Sequence, residues 1–121
     1  MTLPRVLMVD DDMTVLVSLT RVLAQQCKLD VVLENTATRA LDRLNASTFD
    51  LLVCDLRLPG VSGSQLLEMA ARRWPKMRRA LLTGAMVDWS VHADATLLKG
   101  TDPDAIVGTI CRLARFDRVV P

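Results

Sequence analysis

The chain has 121 residues, half of them apolar, with 15 basic and 14 acidic side chains and a formal net charge of +1. This length suits one domain, the apolar content excludes a disordered chain, and the charge balance leaves no electrostatic footprint for nucleic acid or an anionic membrane. Aromatic residues are only 3% of the total, so Leu, Val, Ile and Ala must build the core, which favours close-packed parallel strands covered by helices.

Val6–Val9 is a compact apolar run that stops at Asp10-Asp11-Asp12. From Val15 the pattern turns helical, with Leu16, Leu19, Val22 and Leu23 on the same face and Asp12 as a plausible N-cap. Leu29–Leu33 reads as a second strand, and a second helix carries Ala37, Ala40, Leu41 and Leu44 behind a Thr36 cap. Leu51–Cys54 is a third strand ending at Asp55, followed by a loop marked by Pro59, Gly60, Ser62 and Gly63. Leu66, Leu67, Ala70, Ala71 and Trp74 mark a helix that Pro75 stops. The arginines of the stretch 71–79 read as its solvated end.

Ala80–Leu82 is a fourth strand, ending at Thr83-Gly84. The segment 85–95 is ambiguous, and its lone histidine, His92, is expected to face solvent without a role. Thr96–Leu98 is a fifth strand ending at Lys99. Thr101 and Asp104 have capping-box spacing, with Pro103 in the first turn of a last helix built on Ile106, Val107, Ile110, Leu113 and Ala114.

The cysteines, Cys27, Cys54 and Cys111, are odd in number and widely spaced with no CxxC, which argues against a disulfide framework or a zinc site. Cys54 lies in an apolar run and reads as a small buried hydrophobe. No signal peptide and no membrane-spanning run is visible, so a soluble, reducing, cytoplasmic setting is expected.

Alternating β and α units with strands apolar on both faces predict an α/β domain with one parallel sheet covered on both sides. Function in such sheets sits beyond the carboxyl ends of the strands. Asp10 and Asp11 follow the first strand, Asp55 the third, Thr83 the fourth and Lys99 the fifth. Three converging carboxylates repel one another unless a cation joins them. A hard divalent ion with oxygen ligands, Mg²⁺ above all, suits few carboxylates plus waters and a phosphate. Lys99 adds a fixed positive charge and Thr83 a hydroxyl, together describing a receptor for a phosphoryl group with one carboxylate free to act as nucleophile.

The runs Val6-Leu7-Met8-Val9-Asp10-Asp11-Asp12, Asp50–Gly63, Leu81-Leu82-Thr83-Gly84 and Leu97-Leu98-Lys99 together resemble the CheY-like receiver domain of two-component response regulators, over nearly the whole chain. The resemblance implies a receiver domain over residues 4–118 with a flavodoxin-like, doubly wound, five-stranded parallel sheet in the order 2-1-3-4-5. It implies that Asp55 is the phosphoacceptor, taking a phosphoryl group from the phosphohistidine of a sensor histidine kinase or a phosphotransfer protein. Asp11 corresponds to a direct Mg²⁺ ligand, Asp10 to a carboxylate holding the ion through water, and Arg57 to the residue lending a backbone carbonyl. Lys99 corresponds to the lysine that pairs with the acceptor and then with phosphoryl oxygens, Thr83 to the hydroxyl that moves to bond the phosphoryl group, and Gly84 to an amide donor. The partners implied are that kinase or carrier and a downstream protein, with no direct nucleic acid and no membrane; a homodimer is left open. The domain is not an enzyme beyond its own phosphorylation and dephosphorylation.

Three departures from the family pattern stand out. Gly100 follows Lys99 where a proline is usual, Thr96 stands where an aromatic switch residue is common, and Thr83 and Lys99 are only 16 residues apart. The family gap is longer by roughly five or six residues, more than one helical turn, so a shortened fourth helix and an atypical output face are expected. These changes leave two other readings open. One is a degenerate receiver acting as a constitutive interaction or dimerisation module. The other is a small Mg²⁺-dependent phosphatase, against which stands the lack of an acidic residue two positions after Asp55, where Arg57 lies.

Overall fold

The computed structural model describes residues 3–84 and 92–115. In chain order these form β1 (Arg5–Val9), α1 (Met13–Gln26), β2 (Asp30–Glu34), α2 (Ala37–Ala46), β3 (Leu51–Asp55), α3 (Gly63–Arg73), β4 (Arg78–Thr83), β5 (Ala95–Leu98) and α4 (Pro103–Arg115). The strands make one parallel sheet, as the residue pattern predicts, in the order β2-β1-β3-β4-β5 that the family resemblance implies. The shortened helix expected between Thr83 and Lys99 falls mainly on residues 85–91, outside the described residues, and so does the expected domain end at 118. No helix among the described residues is long and apolar enough to cross a membrane.

The period-two direction of side chains along each strand divides the core into two layers. Val6, Met8, Val53, Ala80, Leu82 and Leu97 face α1 and α4, where they meet Leu16, Leu23, Val107 and Ile110. Leu7, Val9, Leu52, Cys54 and Leu81 face α2 and α3, where they meet Ala40, Leu44, Leu66 and Leu67. Every residue of β3 is buried, which explains its unbroken apolar run. Leu98, on the edge strand β5, is 47% exposed.

Helix starts follow local side-chain chemistry. The Thr14 amide donates to Asp12 Oδ1 at 3.0 Å and the Arg39 amide to Thr36 Oγ1 at 3.1 Å, so both expected caps form. Ser62 and Gln65 build a reciprocal capping box at α3, from a Ser-x-x-Gln spacing that is legible in the chain. At α4 the expected Thr101–Asp104 box does not form. Instead Asp102 Oδ1 accepts from the Asp104 amide at 3.1 Å, while the Thr101 hydroxyl turns back to the Leu98 carbonyl at 2.7 Å. An aspartate two residues before an amide satisfies it without the longer reach of a box.

The arginines after α3 are only partly a solvated helix end. Arg72 pairs with Glu68 at 2.7 Å and Arg73 reaches Asn45 at 2.6 Å, but Arg78 and Arg79 open β4. Arg79 donates to the carbonyls of Met77 at 3.0 Å and of His92 at 3.1 Å, and its amide donates to Asp94 Oδ2 at 2.8 Å. His92 is exposed, as expected.

A second correction concerns the cysteines. Cys27, at the C-cap of α1, is disulfide-bonded to Cys111 in α4, with their Cα atoms 6.4 Å apart. The pair is 84 residues apart in sequence, and only the packing of the first helix on the last brings it together. An odd cysteine count excludes a complete set of bridges but not a single one. The remaining thiol, Cys54, is wholly buried.

Candidate functional site

The carboxyl ends of β1, β3, β4 and β5 bring Asp10, Asp11, Asp55, Thr83 and Lys99 to one rim of the sheet. In-register pairing sets this arrangement: Asp55 pairs with Leu82, the residue before Thr83, and the Lys99 amide donates to the Thr83 carbonyl at 2.9 Å. Asp10 has no exposed surface, Thr83 is 3% exposed and Asp55 6%. Asp11 is exposed.

Asp10 is held from three sides. Its amide donates to the Glu34 carbonyl at 3.2 Å, and its Oδ1 accepts from the Asp12 amide at 2.9 Å. Its Oδ2 is buried, accepts no hydrogen bond of good geometry, and faces the Lys99 ammonium at 2.8 Å. The same ammonium lies 3.3 Å from Asp55 Oδ1. One cation therefore bridges two carboxylates from different strands.

Burial pushes the Asp10 carboxyl above its ordinary pKa, more strongly than Lys99 and the Asp12 amide pull it down, and the Asp55 charge adds to the rise. For Lys99 burial acts downward, but Asp10 and Asp55 together outweigh it and hold the ammonium above its ordinary value. Burial thus dominates at Asp10, whereas two carboxylate partners dominate at Lys99. Single ligand oxygens of Asp10, Asp11 and Asp55 lie within 4.8 Å of one another, a set that could hold a metal ion. With Lys99 counted, the cluster keeps two negative charges, which a divalent cation would cancel. The buried Asp10 carboxylate, paired with Lys99, and the all-oxygen donor set fit such a hard cation.

The loop between β3 and α3 sets the acceptor's surroundings. Gly60 has φ +79°, in the left-handed region that favours glycine. The Gly63 amide donates to the Leu56 carbonyl at 2.9 Å, and a Cβ at Gly63 would run into the Asp55 carbonyl oxygen. Glycine is thus required where α3 starts directly against the backbone of Asp55. The sequence shows this residue, but its role is invisible without the packing. Arg57 lies in the same loop with an exposed side chain. Gly84 is exposed, and a Cβ there would meet nothing. Thr96, at the position of the expected missing switch residue, is exposed on β5. The Cys54 Sγ lies 3.2 Å from the Asp55 carbonyl oxygen, and burial followed by the neighbouring Asp55 and Asp10 charges pushes its thiol far up.

The comparisons with known proteins agree with this geometry. A receiver structure from Methanospirillum hungatei JF-1, described as CheY-like, superposes with a TM-score of 0.86 at 28% identity, covering 97% of this chain and 98% of that one. The two-component response regulator ORR21 of Oryza sativa subsp. indica is 42% identical over 67 residues, 54% of this chain. The hydrogenase transcriptional regulatory protein HoxA of Cupriavidus necator is 28% identical over 112 residues, 87% of this chain. The chain spans 10% of the length of the former and 23% of the latter. The family model for the response regulator receiver domain matches residues 6–110, and the chain belongs to that family.

Proposed function

We propose that this receiver domain, taken as residues 4–118, accepts a phosphoryl group on Asp55 from the phosphohistidine of a sensor histidine kinase or phosphotransfer protein. The modified state would then change affinity for a downstream protein. The observation that carries this reading is the Lys99 ammonium set between Asp10 and Asp55, with Asp11 close enough to share a cation with both.

In this reading a carboxylate oxygen of Asp55 forms a bond to phosphorus as the bond from phosphorus to the histidine nitrogen breaks. Phosphoryl transfer asks mainly for positioning and for positive charge near the phosphoryl oxygens. Asp10, Asp11, Asp55 and the Arg57 carbonyl are the residues that would hold Mg²⁺, which when bound supplies the larger share of that charge. Lys99 moves its pairing from Asp55 to a phosphoryl oxygen. The Thr83 hydroxyl and the Gly84 amide donate to the remaining oxygens. Burial of Asp55 and Thr83 keeps bulk water from competing for these contacts.

The test is incubation of the protein with acetyl phosphate and Mg²⁺, followed by intact mass. One added phosphoryl group is expected, absent in Asp55→Asn and absent when the ion is chelated. An unmodified wild type, or a modified Asp55→Asn, contradicts the assignment.

A further inference from the structure

Away from the rim, the end of α1 is fastened to α4 by three ties. Gln26 Nε2 donates to Asp104 Oδ1 at 2.7 Å, Cys27 is bonded to Cys111, and the Arg115 guanidinium donates to the Lys28 carbonyl at 3.1 Å. Asp104, Cys111 and Arg115 follow helical spacing along α4, and Gly108, between the first two, adds no side chain to that stripe. The extended backbone of Cys27, with φ −154° and ψ 159°, lets three consecutive residues each reach a different turn of the last helix.

The outer two ties are exposed hydrogen bonds, which contribute little once water competes. The covalent bond is therefore the strongest of the three. Cys27 and Cys111 are only partly buried at the edge of the core layer that contains Leu23 and Ile110. A depression of about 230 Å³, lined by Thr20, Leu23, Ala24, Cys27, Leu29 and Val31, gives a small thiol an approach to Cys27. Cys54 is sealed inside the other layer and offers no such access.

We propose that Cys27 and Cys111 form a thiol–disulfide redox site, whose oxidised form clasps α4 onto α1 and whose reduction by a dithiol loosens α4. The site rests on the fold alone and is independent of the phosphotransfer proposed for Asp55. In the reductive step a thiolate of the dithiol attacks Cys27 sulfur, the disulfide bond breaks, and Cys111 leaves as a thiolate that takes up a proton. The second thiol of the dithiol then attacks its own mixed-disulfide sulfur and releases Cys27, which is protonated in turn. Two electrons and two protons pass to the protein, and the dithiol departs as a cyclic disulfide. Oxidation is the reverse exchange with a small-molecule disulfide.

The test compares the full chain equilibrated with oxidised glutathione and with dithiothreitol, by maleimide labelling, thermal melting and amide exchange. In the oxidised state no native label is expected. In the reduced state labels are expected on Cys27 and Cys111 but not on Cys54, with faster exchange in residues 103–115. Closing a loop of 84 residues constrains the unfolded chain, so Tm should fall by at least about 5 °C on reduction. Cys27→Ser and Cys111→Ser should melt like the reduced wild type and ignore dithiothreitol. If either variant fails to fold, the two states of the wild type carry the comparison alone. Two labels taken up after glutathione treatment, or a reduced protein with unchanged Tm and exchange, would overturn the proposal.

Discussion

At the scale of single residues, the rim works by placing charge where it is poorly solvated. Asp10 has no exposed surface, and its Oδ2 relies on the Lys99 ammonium, which Asp55 also claims. Gly63 matters for the opposite reason, because it must carry no side chain where α3 meets the Asp55 carbonyl. Gly63→Ala is expected to lose about 1–3 kcal/mol of stability by overpacking against backbone, measured by urea unfolding, and to slow labelling by acetyl phosphate. An unchanged midpoint would show that the helix start can shift freely. Cys54 gives a pH prediction. Its thiol stays protonated in the folded protein at a pH where an unfolded thiol, with a pKa of about 8.5, has ionised. The folded state then holds the extra proton, so this residue's contribution falls as pH rises above that value. Cys54→Ala should reduce the alkaline loss of stability, and native Cys54 should resist alkylation at about pH 9. Rapid alkylation there would contradict the burial.

At the scale of elements, each helix start is fixed by a short polar side chain. Ser62→Ala should remove the capping box of α3 and cost about 1 kcal/mol, read as a lower urea midpoint with an unchanged slope. Strands were legible because mainly apolar runs of three to five residues end at charged or hydroxyl side chains, and helices because their apolar residues recur at helical spacing. The Asp12 and Thr36 caps were legible for the same local reason. Most of what escaped depends on partners distant in sequence. The Cys27–Cys111 bond needs the packing of α1 on α4, and the role of Gly63 needs the position of the Asp55 backbone. Arg78 and Arg79 look like the tail of a charged helix end until β4 is seen to begin at Arg78. At α4 the neighbouring Asp102 and Thr101 both had capping chemistry, and spacing favoured the one whose hydroxyl goes instead to Leu98.

At the scale of the whole molecule, the parallel sheet both supplies the core and gathers the site, since every strand of the rim ends on the same side. Leu52 lies in the fully buried central strand, and Leu52→Ala should cost about 2–5 kcal/mol, measured by chemical unfolding. The chain order of the acids was readable in the sequence, but their closeness is a property of the 2-1-3-4-5 arrangement. That closeness leaves the folded protein with an uncompensated charge that a divalent cation would relieve. Mg²⁺ should therefore raise Tm, with an increase that grows logarithmically with free Mg²⁺ once the ion exceeds its Kd. Calorimetric titration with MgCl₂ tests this most directly. The wild type should bind one ion, Asp11→Asn should lose that binding, and Asp12→Asn, altered only at a helix cap, should keep it. Equal heats for the wild type and Asp11→Asn would contradict a shared cation site at the strand ends.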